Sequence, residues 1–200
     1  MPALSALISE LQSKISFHEK TNPNVSKAAV GWHIEHSLLT MNLIIDRLSR
    51  SNPSAYRPGF DIRRIILMLS GKIPRGKIKA PAAVQPKNQS GQDALQQHIL
   101  VARENLKRLE LLHPEHFFTH PFLGDFKLKA AIKFICIHTK HHLHIINDII
   151  KAKECQALSN KVDVHLTALI RHCRFNCPPC SVPPGFHYSF FFVAVHSALC

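Results

Sequence analysis

The sequence lacks any long apolar run. Its longest uninterrupted apolar patch, residues 190–195, is far shorter than the roughly 18 to 20 residues that a membrane-spanning helix needs. The first residues, Met1-Pro2-Ala3-Leu4-Ser5, place no basic segment before an apolar core, so we expect no signal peptide. These absences favour a cytoplasmic protein with no membrane partner.

Cysteine is nearly absent from the first 154 residues. Only Cys136 lies there, and the other five cysteines lie at or after residue 155. A secreted disulfide scaffold spreads cysteines through its core, so this class is excluded. Residues 164–200 also contain no Asp or Glu. We therefore expect one domain at residues 1–153 and an irregular, poorly ordered tail at residues 154–200, to which we assign no function.

Acidic residues are also scarce, with 13 Asp and Glu against 25 Lys and Arg. The excess is concentrated in residues 57–87, where eight basic residues face only Asp61. Such a field attracts nucleic acid or small anions. Phe60 is the segment's single aromatic residue, so aromatic side chains do not alternate with the basic ones, and no nucleic-acid motif is present; both points argue against nucleic acid. It is typical of a solvated loop, and Arg75 and Lys77 are the candidates for binding an anionic cosubstrate.

Helical periodicity covers four segments of the first 153 residues. Apolar residues recur at helical spacing over about 3–17, 27–48, 90–112 and 127–151. Ser26 and Ser90 are the predicted N-caps of the second and third helices. Five prolines in residues 49–90 predict a loop with one short helix near 65–69, and residues 113–124 are predicted to be a loop. The pattern is typical of an all-α four-helix bundle, whose sites lie between facing helices.

Histidines cluster in the last of these helices. Four of them lie within residues 138–144, and His138 and His142 project from one face because they are one turn apart. His33 lies on the apolar face of the second helix. Zinc and nickel favour imidazole, and a catalytic site typically has three protein ligands. We predict His33, His138 and His142 as metal ligands; the alternative is a set of hydrogen-bonded core histidines.

Three further residues flank the predicted ligands. His36 lies on the edge of the second helix face and can act as an acid–base group at the mouth of a site. Glu35 and His141 are neighbours of the predicted ligands in sequence. These three are the candidates for catalytic roles, and the alternative for each is a solvated or loop-packed side chain.

Several segments resemble one known family. Val30-Gly31-Trp32-His33-Ile34-Glu35-His36-Ser37-Leu38 resembles the second helix of DinB-like (YfiT-type) proteins. His138-x3-His142, within residues 134–149, is similar to their last helix. Residues 73–77 and the turn at residues 120–124 resemble an uncharacterised bacterial branch of that group. The resemblance covers roughly residues 5–152 and leaves the tail unmatched.

The resemblance implies a fold and a chemistry. The fold would be an up-down-down-up four-helix bundle in which three histidines bind zinc or nickel, at His33, His138 and His142 by position. The implied activities are S-transfer or isomerisation with a low-molecular-weight thiol, or hydrolysis, on a small-molecule substrate. The alternative is a non-enzymatic metal-binding or stress-response bundle. A homodimer is expected for either function.

Overall fold

The computed structural model describes residues 2–76, 80–87 and 90–151. Contacts divide the chain into the units Met1–Ile150 and Lys151–Cys200, and all described residues except Lys151 belong to the first unit. The predicted domain boundary at 153/154 and the predicted tail lie outside the described residues and stay predictions. No described helix has the length and apolar character that crossing a membrane requires.

The described chain is mostly helical. Helices α1 to α4 span Pro2–Ser13, Val30–Arg50, Ile62–Ser70 and Gln92–Glu110, and helix α5 covers residues 128–151. Short 3-10 turns occupy Ile15–Phe17, Pro53–Ala55 and Ala82–Val84. The four predicted long helices and the predicted short one are all present, because each has an apolar face at helical spacing.

Ser26 and Ser90 are not the N-caps of α2 and α4 that the sequence had predicted. Helix α2 has Ala29 as its N-cap and α4 has Gly91, neither with a side-chain cap. The start of α2 is fixed instead by the backbone: the Gly31 amide donates to the His18 carbonyl over 2.8 Å. A Cβ on Gly31 would lie 3.1 Å from that oxygen, so a larger residue here would need the His18 backbone to shift by a few tenths of an ångström.

A β-hairpin replaces part of the loop predicted over residues 113–124. Strands β1 (Phe117–His120) and β2 (Gly124–Lys127) pair antiparallel, with Phe118 opposite Phe126. Both of these aromatic side chains are buried in the main core. The strands are four residues each, too short to give a clear alternating pattern, and tertiary packing of the aromatic pair stabilises them.

The directions of the long helices follow from side-chain contacts between them. In α1 and α4, Gln12 bonds Gln96 at 3.0 Å and Ser9 bonds Arg103 at 3.1 Å. These pairs run in opposite senses along the sequence, so the two helices are antiparallel. Two contacts link α2 to α4, Glu35–His98 at 3.7 Å and Asn42–Asn105 at 2.9 Å. The residue numbers increase together in the two contacts, so α2 and α4 are parallel.

Helix α2 is buried on nearly all sides in its first half. Residues 33–38 are buried without interruption, since α1, α4 and α5 all contribute to the core around it. The side chains that share this core include Ile8, Leu11, Ile34, Leu38, Ile45, Leu95, Ile99, Ile146 and Ile149. A polar side chain in this half of α2 must therefore find a partner inside the protein.

Candidate metal centre

Four histidines from two helices meet in the interior. His33 and His36, one turn apart on α2, face His138 and His142 on α5. His33 lies opposite His142, and His36 lies opposite the earlier residue His138, so α2 and α5 are antiparallel. The spacings of three and four residues place each pair on one helix face, which is why two helices suffice to build the cluster.

His36, His138 and His142 form a group that can hold a metal ion. One ligand atom from each lies within 4.8 Å of the other two. The Nε2 atoms of His36 and His138 are 3.2 Å apart. Two imidazole nitrogens bound to tetrahedral zinc at about 2.0–2.1 Å would be about 3.3 Å apart, so this pair already has the spacing of two ligands.

The orientation of His36 is set by the backbone of the connection between α3 and α4. Its Nδ1 lies 2.8 Å from the Val84 carbonyl oxygen. Because a carbonyl only accepts, Nδ1 must carry the proton and donate, which leaves a lone pair on Nε2 of the neutral ring. This is how a metal-binding imidazole is usually oriented by a neighbouring acceptor. Trp32 stacks on the ring at 4.9 Å and 15°.

Burial favours the neutral form of the clustered histidines. Burial lowers the pKa of His36, with the Val84 hydrogen bond acting in the opposite direction. Burial also lowers the pKa of His142 and lowers that of His138 well below its usual value of 6.5, and neighbouring histidines add to both effects. Neutral imidazole is the form that binds divalent metals, so the donor set fits a metal such as zinc or nickel.

His33 lies beside this group and not within it. Its Nδ1 is 3.0 Å from Nδ1 of His142, and its Nε2 is 3.0 Å from Oγ of Ser26. Both ring nitrogens therefore have partners. Burial is the main cause that lowers the pKa of His33 to about 4. Its predicted role as a ligand stays a prediction, while the geometry favours His36 as the third imidazole.

The burial of His36 was not predicted from the sequence. If α2 had one buried face and one exposed face, His36 would lie at the edge between them. His36 is buried instead, because the first half of α2 is enclosed on nearly all sides. The i, i+3 spacing of His33 and His36 was the available signal, since it mirrors the i, i+4 pair on α5.

The remaining site candidates lie around the cluster in different ways. Glu35 is buried and contacts His98 of α4 at 3.7 Å. His141 is half-buried, and its ring meets that of His142 edge-on at 5.1 Å. Arg75 pairs with Asp148 of α5 at 2.8 Å. Lys77 lies outside the described residues.

Comparison with known proteins identifies the family of the chain. The sequence profile of the DinB superfamily matches residues 17–146, a range that includes all four histidines. No curated protein and no solved structure matches the chain. The match extends over more than half of the chain, and the chain therefore belongs to the DinB superfamily.

Proposed function

We propose that this chain is a divalent-metal-dependent enzyme in which His36, His138 and His142 bind the ion. The observation that carries the proposal is the convergence of three neutral imidazoles, with ligand atoms within 4.8 Å of one another. Three protein ligands leave coordination positions open for substrate or water, as catalytic zinc sites do. Membership of the DinB superfamily over residues 17–146 supports the same reading.

The choice of His36 over His33 rests on hydrogen bonding. His36 has one nitrogen fixed by a carbonyl and the other, Nε2, directed at His138. His33 uses one nitrogen for His142 and the other for Ser26. Binding a metal through His33 would require one of these two bonds to break. Binding through His36 would replace its contact with His138, because the ion would take the place of the proton between the two Nε2 atoms, and the bond from Nδ1 to Val84 would be kept.

Zinc or nickel is the ion that the donor set favours, because both bind imidazole well. When bound, such an ion supplies a Lewis acid that polarises an electrophile or lowers the pKa of a thiol or water. Around it, Val84 holds His36 in its binding tautomer and Trp32 covers one face of the ring. The reaction classes that we propose are S-transfer or isomerisation with a low-molecular-weight thiol, or hydrolysis, of a small molecule.

Arg75 is the proposed contact for an anionic cosubstrate. Its side chain is about half exposed, and Asp148 on α5 fixes it through one guanidinium nitrogen. Burial is the main cause of the lowered pKa of both His33 and His141, and the charge of Arg75 adds to it. The positive charge of Arg75 therefore influences His33 and His141 at the edge of the cluster. Lys77 stays a prediction for the same role.

We also infer that the long helices form an up-down-down-up bundle. Support comes from the contacts that make α1 and α4 antiparallel, α2 and α4 parallel, and α2 and α5 antiparallel. In such a bundle a metal site is built from side chains on facing helices, here α2 and α5. A homodimer, cytoplasmic location and no affinity for nucleic acid remain predictions.

Metal analysis of the purified full-length chain tests the proposal. We expect about one divalent ion per chain in wild type, and loss of the ion in His36→Ala, His138→Ala and His142→Ala. His144→Ala is the matched control, because His144 is an exposed histidine on the same helix and its loss should leave the metal content unchanged. A wild-type protein that binds no added zinc or nickel, or three variants that retain the ion, would overturn the proposal.

A second measurement separates an enzyme from a metal-stabilised bundle. Wild-type protein loaded with the ion would be assayed with low-molecular-weight thiols and electrophiles, and with ester and amide substrates. We expect turnover that His36→Ala abolishes and Arg75→Ala weakens through a higher KM for anionic thiols, while Arg50→Ala has no effect. A large loss of thermal stability on chelation with no turnover would instead assign the ion a structural role.

A further inference from the structure

A chain of hydrogen bonds leads away from the histidine cluster through α2. Nδ1 of His142 is 3.0 Å from Nδ1 of His33, and Nε2 of His33 is 3.0 Å from Oγ of Ser26. Oγ of Ser26 in turn accepts from the backbone amide of Ala28 at 3.1 Å. The contact between the two imidazoles is buried, so water does not compete for either nitrogen.

The proton positions along this chain follow from the donor count. Only one of the two Nδ1 atoms can carry a proton if they share a hydrogen bond and both rings are neutral. When Nε2 of His142 is used to bind an ion, the proton of that ring is on Nδ1, and it must be donated to His33. The proton of His33 is then on Nε2, where the hydroxyl oxygen of Ser26 can accept it.

The geometry points to a role for His33 that is distinct from that of a ligand. We propose that His33 is a positioning residue that accepts the Nδ1–H of His142, with Ser26 fixing the His33 tautomer, and so orients Nε2 of His142 toward the ion. This inference rests on the proposed metal site. Metal-binding histidines usually donate to a carboxylate, a carbonyl or water, whereas here the acceptor is a second imidazole.

The energetic reason for such a residue is the burial of His142. Its side chain is 7% exposed, so an Nδ1–H without an acceptor would be a buried, unsatisfied donor. Loss of an acceptor of this kind typically weakens metal binding about 10- to 100-fold. It does not change the number of imidazoles that bind the ion, which separates a positioning residue from a ligand.

Two substitutions of His33 separate its role as a hydrogen-bond acceptor from its role in filling space in the core. His33→Leu removes both ring nitrogens and keeps an apolar side chain in the core. His33→Asn places an amide oxygen near the position of Nδ1 and retains an acceptor for His142. Ser26→Ala removes only the far end of the chain. His98→Leu is the control, because His98 is a histidine of α4 that contacts Glu35 of α2 and lies outside the cluster.

Zinc affinity would be measured by competition with a chromophoric chelator, and the ligand count by X-ray absorption of the zinc-loaded proteins. We expect His33→Leu to bind zinc about 10- to 100-fold more weakly with an unchanged number of imidazole ligands. The zinc affinity of His33→Asn and of His98→Leu should stay close to that of wild type. The zinc affinity of Ser26→Ala should lie between those of wild type and His33→Leu. In NMR spectra of the zinc form, the downfield Nδ1–H resonance of His142 should be lost in His33→Leu.

Each other outcome has a definite meaning. If His33→Leu binds zinc as tightly as wild type, or if His33→Asn is as weak as His33→Leu, the positioning role is wrong. Loss of one imidazole from the zinc shell in His33→Leu would make His33 a ligand and would also overturn it. If His33→Leu does not fold, an affinity of Ser26→Ala equal to wild type refutes the proposal. A wild-type protein without zinc affinity refutes the metal site itself.

Discussion

Acid should destabilise the metal-free protein through the buried ring of His33. Burial, assisted by the charges of His36, His141 and Arg75, lowers the pKa of His33 from 6.5 to about 4. In the unfolded chain the ring regains its ordinary pKa. Between these two values the unfolded chain binds a proton that the folded chain does not, so stability falls as the pH decreases. The stabilisation is complete above about pH 6.5 and is lost progressively toward pH 4.

The size of the effect follows from the two pKa values. The difference between 6.5 and about 4 corresponds to about 3.4 kcal/mol below pH 4, of which about 2 kcal/mol is already lost at pH 5. The pKa values of His36, His138 and His142 are also lowered and act in the same direction. The loss at pH 5 is therefore at least about 2 kcal/mol, a large part of the roughly 5–15 kcal/mol that stabilises a domain.

Urea unfolding in the presence of a chelator measures this loss. Trp32, the single tryptophan, stacks on His36 and reports on the cluster by its fluorescence. The free energy of unfolding should fall by at least about 2 kcal/mol from pH 7.5 to pH 5, and this fall should be about 2 kcal/mol smaller in His33→Asn. His144→Asn, at an exposed position, should behave as wild type. A free energy that is equal at both pH values, or an unchanged fall in His33→Asn, would refute the reasoning.

Three substitutions test the packing that supports the site, each by urea unfolding at neutral pH. Ile45→Ala should cost about 2–5 kcal/mol, because Ile45 is fully buried in the α2 face of the core, and a cost below 1 kcal/mol would show that the core collapses around the gap. Gly71→Ala should cost about 1–2 kcal/mol, since Gly71 ends α3 at φ 63°, while Gly71→Asn should cost less. Asp125→Ala should cost about 1–3 kcal/mol by removing the buried acceptor of the Thr119 hydroxyl and the Arg57 amide, and Asp125→Asn should retain part of it.

The sequence was sufficient for the helical elements. The apolar spacing that predicts helices over 27–48 and 90–112 is a local property, and α2 and α4 lie within two or three residues of those bounds. The hairpin at residues 117–127 was not predictable in this way. Phe118 and Phe126 are held by their contact with each other and with Phe134 of α5, which the spacing within two four-residue strands does not encode.

The candidate site was likewise predictable only in part. Sequence alone determined that α5 presents His138 and His142 on one face and that α2 carries histidines near its apolar stripe, because helical geometry fixes which residues share a face. Only the tertiary structure decided which α5 histidine each α2 histidine contacts. The vertical offset between α2 and α5 places His36 opposite His138, with the Val84 carbonyl behind it, and leaves His33 between His142 and Ser26. That offset depends on how the whole core packs, so no local pattern could supply it.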